Sequence, residues 1–290
     1  MAWQPSDIPN QRGRTFVVTG ANGGLGEIAT RMLAERGATV VMACRNVAKA
    51  EQIADRIGGD VRVAALDLAS LASVREFAAQ QPGFDVLINN AGIMNIPLSR
   101  TVDGFETQFG VNHLGHFVLT GLLLDKISDR IVTVASIAHR QTPKLWIDDL
   151  NYQHRFYQRN LAYAQSKLAN LMFARELQRR LTAAGSPKRS YAAHPGVSAT
   201  ALFDNDRSPI GLAAKYALPI IGLPPVQATQ PIVYAATMPD ADPASYWGPT
   251  RLRPGRGPVA CPSSWLSKNQ QLWRRLWDES EKMTGVAYPL

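Results

Sequence analysis

The sequence predicts a single α/β domain in which a doubly wound parallel sheet carries helices on both faces. Three observations support that prediction. From Arg14 onward, short apolar runs alternate with segments of helical spacing, the pattern of repeated strand–helix units. A glycine cluster between Gly20 and Gly26 follows the first run and opens the first helical segment. The chain is 290 residues long and 46% hydrophobic, which suits one large domain with a substantial core, and it shows neither an internal repeat nor a low-complexity linker. Right-handed crossovers then wind the sheet and place ligands at the carboxyl ends of its strands.

Thr15–Thr19 is a β-branched run, and Glu27–Arg36 after the glycines has helical spacing. Thr39–Cys44 is the second strand, and Ala48–Ile57 a helix stopped by Gly58-Gly59. Val61–Leu66 and Val86–Asn89 are the third and fourth strands, separated by a helix over Leu71–Gln80. A long helix falls within Val102–Lys126, and Arg130–Ala135 is the fifth strand. The next helix runs roughly from Phe156 to Ala184 and stops near Gly185 and Pro187. Ser190–His194 is the sixth strand, cut off by Pro195-Gly196.

Beyond Pro195 the pattern changes. Residues 197–225 mix apolar side chains with four prolines and two glycines, a long connection that reads as a substrate lid with a short helix at Leu212–Leu218. A C-terminal helix is expected over 267–284. Ser267-Lys268-Asn269-Gln270 would form its capping box, Leu272, Trp273, Leu276, Trp277 and Met283 its apolar face, and Gly285 its stop. The whole of 1–290 is read as one domain.

Charged residues make up 19% of the chain and the formal charge is +8. The basic residues are scattered, with small clusters at Arg179-Arg180, Lys188-Arg189, Arg251/Arg253/Arg256 and Arg274-Arg275, and aromatic residues are not interleaved with them, so a nucleic-acid partner is not expected. The two isolated cysteines, Cys44 and Cys261, argue against a disulfide scaffold and fit a reducing compartment. Met1 to Arg14 lack the apolar core of a signal peptide, and no stretch reaches the length of a membrane span, so a cytoplasmic location without an integral membrane anchor is expected.

Thr19-Gly20-Ala21-Asn22-Gly23-Gly24-Leu25-Gly26 follows a strand and opens a helix, the Rossmann-type context that pyrophosphate binding needs. Glycines let the backbone approach the phosphates, and the helix N-terminus offers free N–H groups and a positive dipole end. By spacing alone Gly20, Gly24 and Gly26 fit one fingerprint, while Gly20, Gly23 and Gly26 fit another. The second strand ends Ala43-Cys44-Arg45-Asn46, with no acid to hold a ribose 2′-hydroxyl, and Arg45 there favours NADP(H) over NAD(H) unless its side chain is merely solvated. In Leu66-Asp67-Leu68, Asp67 holds the adenine amino group or caps the following turn. Asn89-Asn90-Ala91-Gly92 suits a backbone running beside the adenine ribose.

Tyr163 and Lys167 are four residues apart in a helical segment and share a face. A free tyrosine titrates near 10, and lowering it by about three units corresponds to roughly 4 kcal/mol. A nearby ammonium and an oxidised nicotinamide both act in that direction. Such a tyrosine donates a proton to a carbonyl oxygen or removes one from an alcohol. Ser136, at the end of the fifth strand, is placed to hold the reacting oxygen. His139 follows closely as a candidate pocket residue. His113 and His116 are three apart on a helix, but no acidic or cysteine ligand accompanies them in a metal-binding spacing, so no metal is expected and packing explains them.

Taken together and in this order, the glycine turn, Asn89 to Gly92, the strand-end Ser136, the Tyr163/Lys167 pair and Pro195-Gly196 resemble the short-chain dehydrogenase/reductase family over about Arg12 to Thr200. The resemblance resolves the glycine spacing in favour of Gly20, Gly24 and Gly26. It implies that Ser136, Tyr163 and Lys167 are the catalytic trio, that Asn112 supports a proton relay through water, and that Lys167 also binds the nicotinamide ribose. It places Pro195, Gly196, Val197 and Thr200 near the nicotinamide and pyrophosphate. Asn22 stands where many NADP-using members carry a basic residue. A finer similarity, in Cys44 to Asn46, Val111 to Phe117, Asp148 to Asn151 and Tyr163 to Asn170, is to the retinol dehydrogenase-like branch, whose members often carry a membrane anchor. The resemblance implies an oxidoreductase moving hydride between NADP(H) and a small-molecule, apolar carbonyl or alcohol, in a family that often forms homodimers or homotetramers. The alternative is a cofactor-binding sensor or scaffold that has lost its chemistry; the intact trio speaks against it.

Overall fold

The computed structural model describes residues 3–196, 223–250 and 257–290. The six expected strands are present as β1 (Thr15–Thr19), β2 (Thr39–Cys44), β3 (Val61–Ala65), β4 (Phe84–Asn89), β5 (Ile127–Val134) and β6 (Arg189–Ala193). Two more follow, β7 (Tyr246–Pro249) and β8 (Pro258–Ala260). They form one eight-stranded sheet in the order β3-β2-β1-β4-β5-β6-β7-β8. Every neighbouring pair is parallel except β7 and β8, which closes the edge in the antiparallel sense. The chain leaves β1 toward β2 and β3, then crosses back to β4 on the other side of β1. The loops after β1 and β4 therefore part company and open a crevice at the carboxyl edge.

The helices are α1 (Gly24–Ala34), α2 (Val47–Ile57) and α3 (Leu71–Gln80), then α4 in three helical pieces, Thr107–Phe109, a π-helical Gly110–Leu114 and Gly115–Leu123. After these come α5 (Arg159–Ala183), α6 (Pro225–Thr237) and α7 (Gln270–Thr284). Successive side chains on a strand face opposite ways, and β1 shows the result. Phe16 and Val18 pack with Met32 and Leu33 of α1, Ile53 of α2 and Ile232 of α6. Val17 packs on the other side with Phe77 of α3, Phe117 of α4, Leu177 of α5 and Trp277 of α7. Both faces are thus covered, as expected for a doubly wound sheet.

Three features differ from the sequence reading. α1 starts at Gly24 rather than Glu27, because the Glu27 N–H already donates to the Gly23 carbonyl (3.3 Å) and closes the first turn. α7 is capped by Asn269, whose side-chain oxygen accepts from the N–H groups of Gln271 (3.0 Å) and Leu272 (3.2 Å). Ser267 is not the cap: it is buried, and both its hydroxyl and its carbonyl accept from Arg175. Gly285 does end α7, in left-handed conformation. The third difference is α6, β7 and β8, which the sequence reading did not foresee. Pro231 lies inside α6, and Gly248-Pro249 end the short β7, so ordinary propensity argues against both elements. Burial against α1 and β6 overrides it. The lid and its helix at Leu212–Leu218 fall outside the described residues, except for Leu223–Pro225, where α6 begins.

Candidate active site

The turn after β1 is built by close contact. A Cβ placed on Gly26 would lie 2.4 Å from the Gly20 carbonyl oxygen and 2.7 Å from Asn90 Nδ2. One on Gly20 would lie 2.9 Å from Ala91 Cα, and Gly20 also adopts φ +65°. Gly24 has φ +54°, so of the two glycine spacings the one using Gly24 places a glycine where the backbone needs it. α1 then starts with no side-chain cap, leaving its first N–H groups free for an anion. Thr19 and Asn90 tie this turn to the end of β4: Asn90 Nδ2 donates to Thr19 O (2.8 Å), and the Asn90 and Ala91 N–H groups donate to Thr19 Oγ1 (both 2.9 Å).

A cavity of about 680 Å³ runs from this turn along the carboxyl edge of the sheet. Of the residues expected at the site, Gly20, Asn22, Gly24, Leu25, Arg45, Asp67, Leu68, Asn90, Ala91, Gly92, Ser136, Tyr163, Lys167, Pro195 and Gly196 line it. Gly26 does not; it is buried behind the turn and acts through the close packing just described. Val197 and Thr200 lie outside the described residues. Asp67 caps its own turn, accepting from the Ala69 N–H (2.9 Å), so one of its two expected roles is observed. At the far end of the cavity Arg45 and Lys49 are both exposed, and neither makes an ion pair among the described residues. Lys49 was missed in the sequence; its Nζ would lie 3.5 Å from a Cβ on Gly23, so it reaches back over the glycine turn. A lysine one helical turn after a strand-end arginine was the available signal.

At the other end stand Ser136, Tyr163 and Lys167. Ser136 follows the end of β5 by two residues and caps the turn after it, with Oγ accepting from the Ala138 N–H (3.2 Å). Tyr163 and Lys167 come from one face of α5, with Lys167 Nζ 5.8 Å from the Tyr163 ring centre. Both are almost completely buried. Lys167 donates to the Val134 carbonyl (3.0 Å), and burial pushes its ammonium down to about 8. Burial pushes the Tyr163 phenol up to about 12, opposed by a hydrogen bond with the Ser136 side chain. The sequence reading expected a nearby ammonium and an oxidised nicotinamide to lower Tyr163; in the protein alone burial is the larger influence and acts in the opposite direction.

Asn112 does not line the cavity. It is fully buried in the π-helical part of α4 and clamps the loop after β4. Its Oδ1 accepts from the Ile93 N–H (2.8 Å), while Nδ2 donates to Ile93 O (2.9 Å) and Ser166 Oγ (2.9 Å). Gly92 is held between Asn112 and Lys167, each 3.3 Å from where a Cβ would be. His139 is not a pocket residue either. It is buried, its Nδ1 bonded to Ser136 O (2.6 Å) and its Nε2 accepting from the Ser264 N–H (3.1 Å), so it fastens the C-terminal segment to the turn that carries Ser136. His113 and His116 have separate partners: His113 bonds Ser280 of α7, and His116 bonds Thr19 and Asn112. Among the described residues no cluster of His, Cys, Asp or Glu is arranged to hold a metal. No helix among them is long and apolar enough to cross a membrane.

Comparison with known proteins agrees with this geometry. A family model described as short chain dehydrogenase matches residues 14–148. Retinol dehydrogenase 13 of Homo sapiens is 41% identical over 295 residues, covering 96% of this chain and 86% of that protein. Retinol dehydrogenase 12 of Mus musculus is 39% identical, covering 95% and 88%. A crystal structure of an uncharacterized protein from Mycobacterium Paratuberculosis shares 46% identity with a TM-score of 0.85, each chain covering all of the other.

Proposed function

The chain belongs to the short-chain dehydrogenase family, in its retinol dehydrogenase-like branch, and is an oxidoreductase acting on CH–OH or C=O groups; on that premise we propose that it reduces apolar carbonyl compounds with NADPH, with Tyr163 as the proton donor. The observation that carries this reading is the convergence of Ser136, Tyr163 and Lys167 at one end of a cavity whose other end is a glycine turn flanked by two exposed cations, Arg45 and Lys49. The close glycine packing and the uncapped start of α1 fit a dinucleotide pyrophosphate. Arg45 and Lys49 fit the 2′-phosphate that distinguishes NADP(H) from NAD(H). Asp67 and Leu68 would hold the adenine, and Asn90 to Gly92 its ribose. Pro195, Gly196, Val197 and Thr200 would serve the nicotinamide and pyrophosphate.

When bound, the reduced nicotinamide supplies the hydride. The protein's own groups do the rest. Ser136 Oγ and the Tyr163 hydroxyl hold the carbonyl oxygen as charge develops on it. Tyr163 keeps its proton at neutral pH, which is the state required of a donor. Lys167, through its ammonium, would hold the nicotinamide ribose and favour the phenolate left after transfer. Asn112 sets the position of Ile93 and, through Ser166, of the helix turn that carries Tyr163, whose carbonyl accepts from Ser166 Oγ (2.8 Å). Met94, Ile96, Val111, Ile137 and Ala138 give the substrate end an apolar wall. We read 1–290 as one domain with residues 197–225 as its lid, and the location as cytoplasmic.

The test is NADPH oxidation against aldehydes, ketones, quinones and retinal, with Tyr163→Phe alongside. Tyrosine-dependent turnover of one class is expected. Equal turnover by parent and variant removes Tyr163 from the chemistry, and NADPH binding without turnover on any carbonyl moves the protein to the sensor reading.

A further inference from the structure

His116 is fully buried on α4 and does not line the cavity, yet it bonds Thr19 and Asn112, which in turn hold the cavity-lining residues Asn90, Ala91 and Ile93. Its Nδ1 lies 3.0 Å from the Asn112 carbonyl oxygen and its Nε2 2.8 Å from Thr19 Oγ1. A carbonyl only accepts, so Nδ1 carries the hydrogen, and in the neutral ring Nε2 is then an acceptor. Thr19 therefore donates its hydroxyl hydrogen to His116 rather than to the Ile88 carbonyl, which is 3.4 Å away. With its hydrogen so directed, Thr19 Oγ1 receives the N–H groups of Asn90 and Ala91, both at 2.9 Å. At the other end, Asn112 grips Ile93 from both sides.

We propose that His116 is a positioning residue for the reaction: its Nδ1–H tautomer locks the Asn112 main chain to the end of β1 and thereby fixes the loop 90–93, which separates the cofactor turn from the catalytic trio. The proposal rests on the dehydrogenase reading for what the loop positions. A second observation gives the imidazole its purpose. Asn112 sits within the π-helical turn, where the backbone ladder is displaced by a residue. The imidazole supplies its carbonyl with a side-chain donor, which an apolar residue on this buried face would not. Burial and the nearby Lys167 charge favour the neutral ring that this pattern needs, with the Asn112 bond opposing.

Three substitutions separate the two ends. His116→Asn keeps a donor near the Nδ1 position but does not reach Thr19. His116→Gln keeps a polar group near the Nε2 position but gives up the bond to Asn112. His116→Leu keeps neither. His116→Leu is expected to weaken NADPH binding and to lower kcat, each roughly tenfold, the size expected for one lost buried hydrogen bond at each end. His116→Asn should restore kcat but not NADPH affinity, and His116→Gln the reverse, with the KM for the carbonyl substrate little changed throughout. Folded variants that all match the parent, or His116→Asn and His116→Gln variants that each lose both properties as His116→Leu does, overturn the proposal. Nitrogen NMR of the parent's His116 is a check that needs neither folding variants nor turnover. The neutral Nδ1–H form is expected at pH 7, and an Nε2–H tautomer or titration near the free value overturns the assignment. A parent that turns over no carbonyl defeats the dehydrogenase reading alone, leaving NADPH affinity and the tautomer to decide this one.

Discussion

The two ends of the cavity hold their charges in opposite ways. Arg45 and Lys49 stand in solvent on the turn and helix after β2, while Tyr163 and Lys167 are 7% and 4% exposed under the sheet edge. In water an exposed cation is screened, and its attraction to a phosphate is graded and replaceable. In the buried cluster each proton is worth far more, because desolvation has already moved both groups from their ordinary values. The exposed end is thus suited to choosing a cofactor, and the buried end to doing chemistry.

The largest test of that contrast is at the buried end. Tyr163→Phe is expected to lower kcat by roughly a thousandfold while leaving the NADPH dissociation constant within about threefold, read by steady-state kinetics and fluorescence titration. A small loss of kcat would dissolve the distinction between the two ends. Next comes the turn that joins them. Gly26→Val drives its Cβ into the Gly20 carbonyl, and we expect NADPH binding to disappear and stability to fall by about 2–3 kcal/mol; unchanged chemical denaturation would mean that the turn yields.

Acid should expose the buried side as a whole. Burial lowers His113 to about 3, and His116 and His139 to about 4. Between the free value of 6.5 and those folded values, the unfolded chain takes up protons that the folded chain refuses. Stability should therefore fall as pH drops from 6.5 toward 4, and return as pH is raised. Thermal melts that stay flat across that range would show that water reaches these rings.

At the exposed end the effects shrink. Arg45→Asp is expected to move the NADPH-over-NADH preference by about tenfold or more toward NADH; an unchanged ratio of kcat/KM would mean that Arg45 is merely solvated. Lys49→Ala should weaken NADPH by about threefold and leave NADH untouched. Equal losses for both cofactors would assign Lys49 to the pyrophosphate instead.

The parts of the site that could be read in advance are those whose chemistry is local. Gly20, Gly24 and Gly26 show themselves by spacing next to a strand, and Tyr163 and Lys167 by their shared helical face. Lys49 was within reach by the same helical periodicity. His139 was expected at the pocket and instead bonds Ser264, and the grip of Asn112 on Ile93 was not foreseen, because both partners are brought to them by the fold. Likewise α6 and β7 contain proline or glycine where propensity rejects it, and burial against distant elements decides their form.

By itself the sequence determined the order of strands and helices through Ala193, the glycine turn, and the identity of the groups at the carboxyl edge, since periodicity, turn chemistry and strand-end position are properties of neighbouring residues. The tertiary structure alone decided that burial pushes the Tyr163 phenol up and three histidines down, and that Lys167 donates to the Val134 carbonyl. Desolvation and hydrogen-bond direction depend on what the folded chain packs against each group, and those neighbours come from segments far apart along the chain.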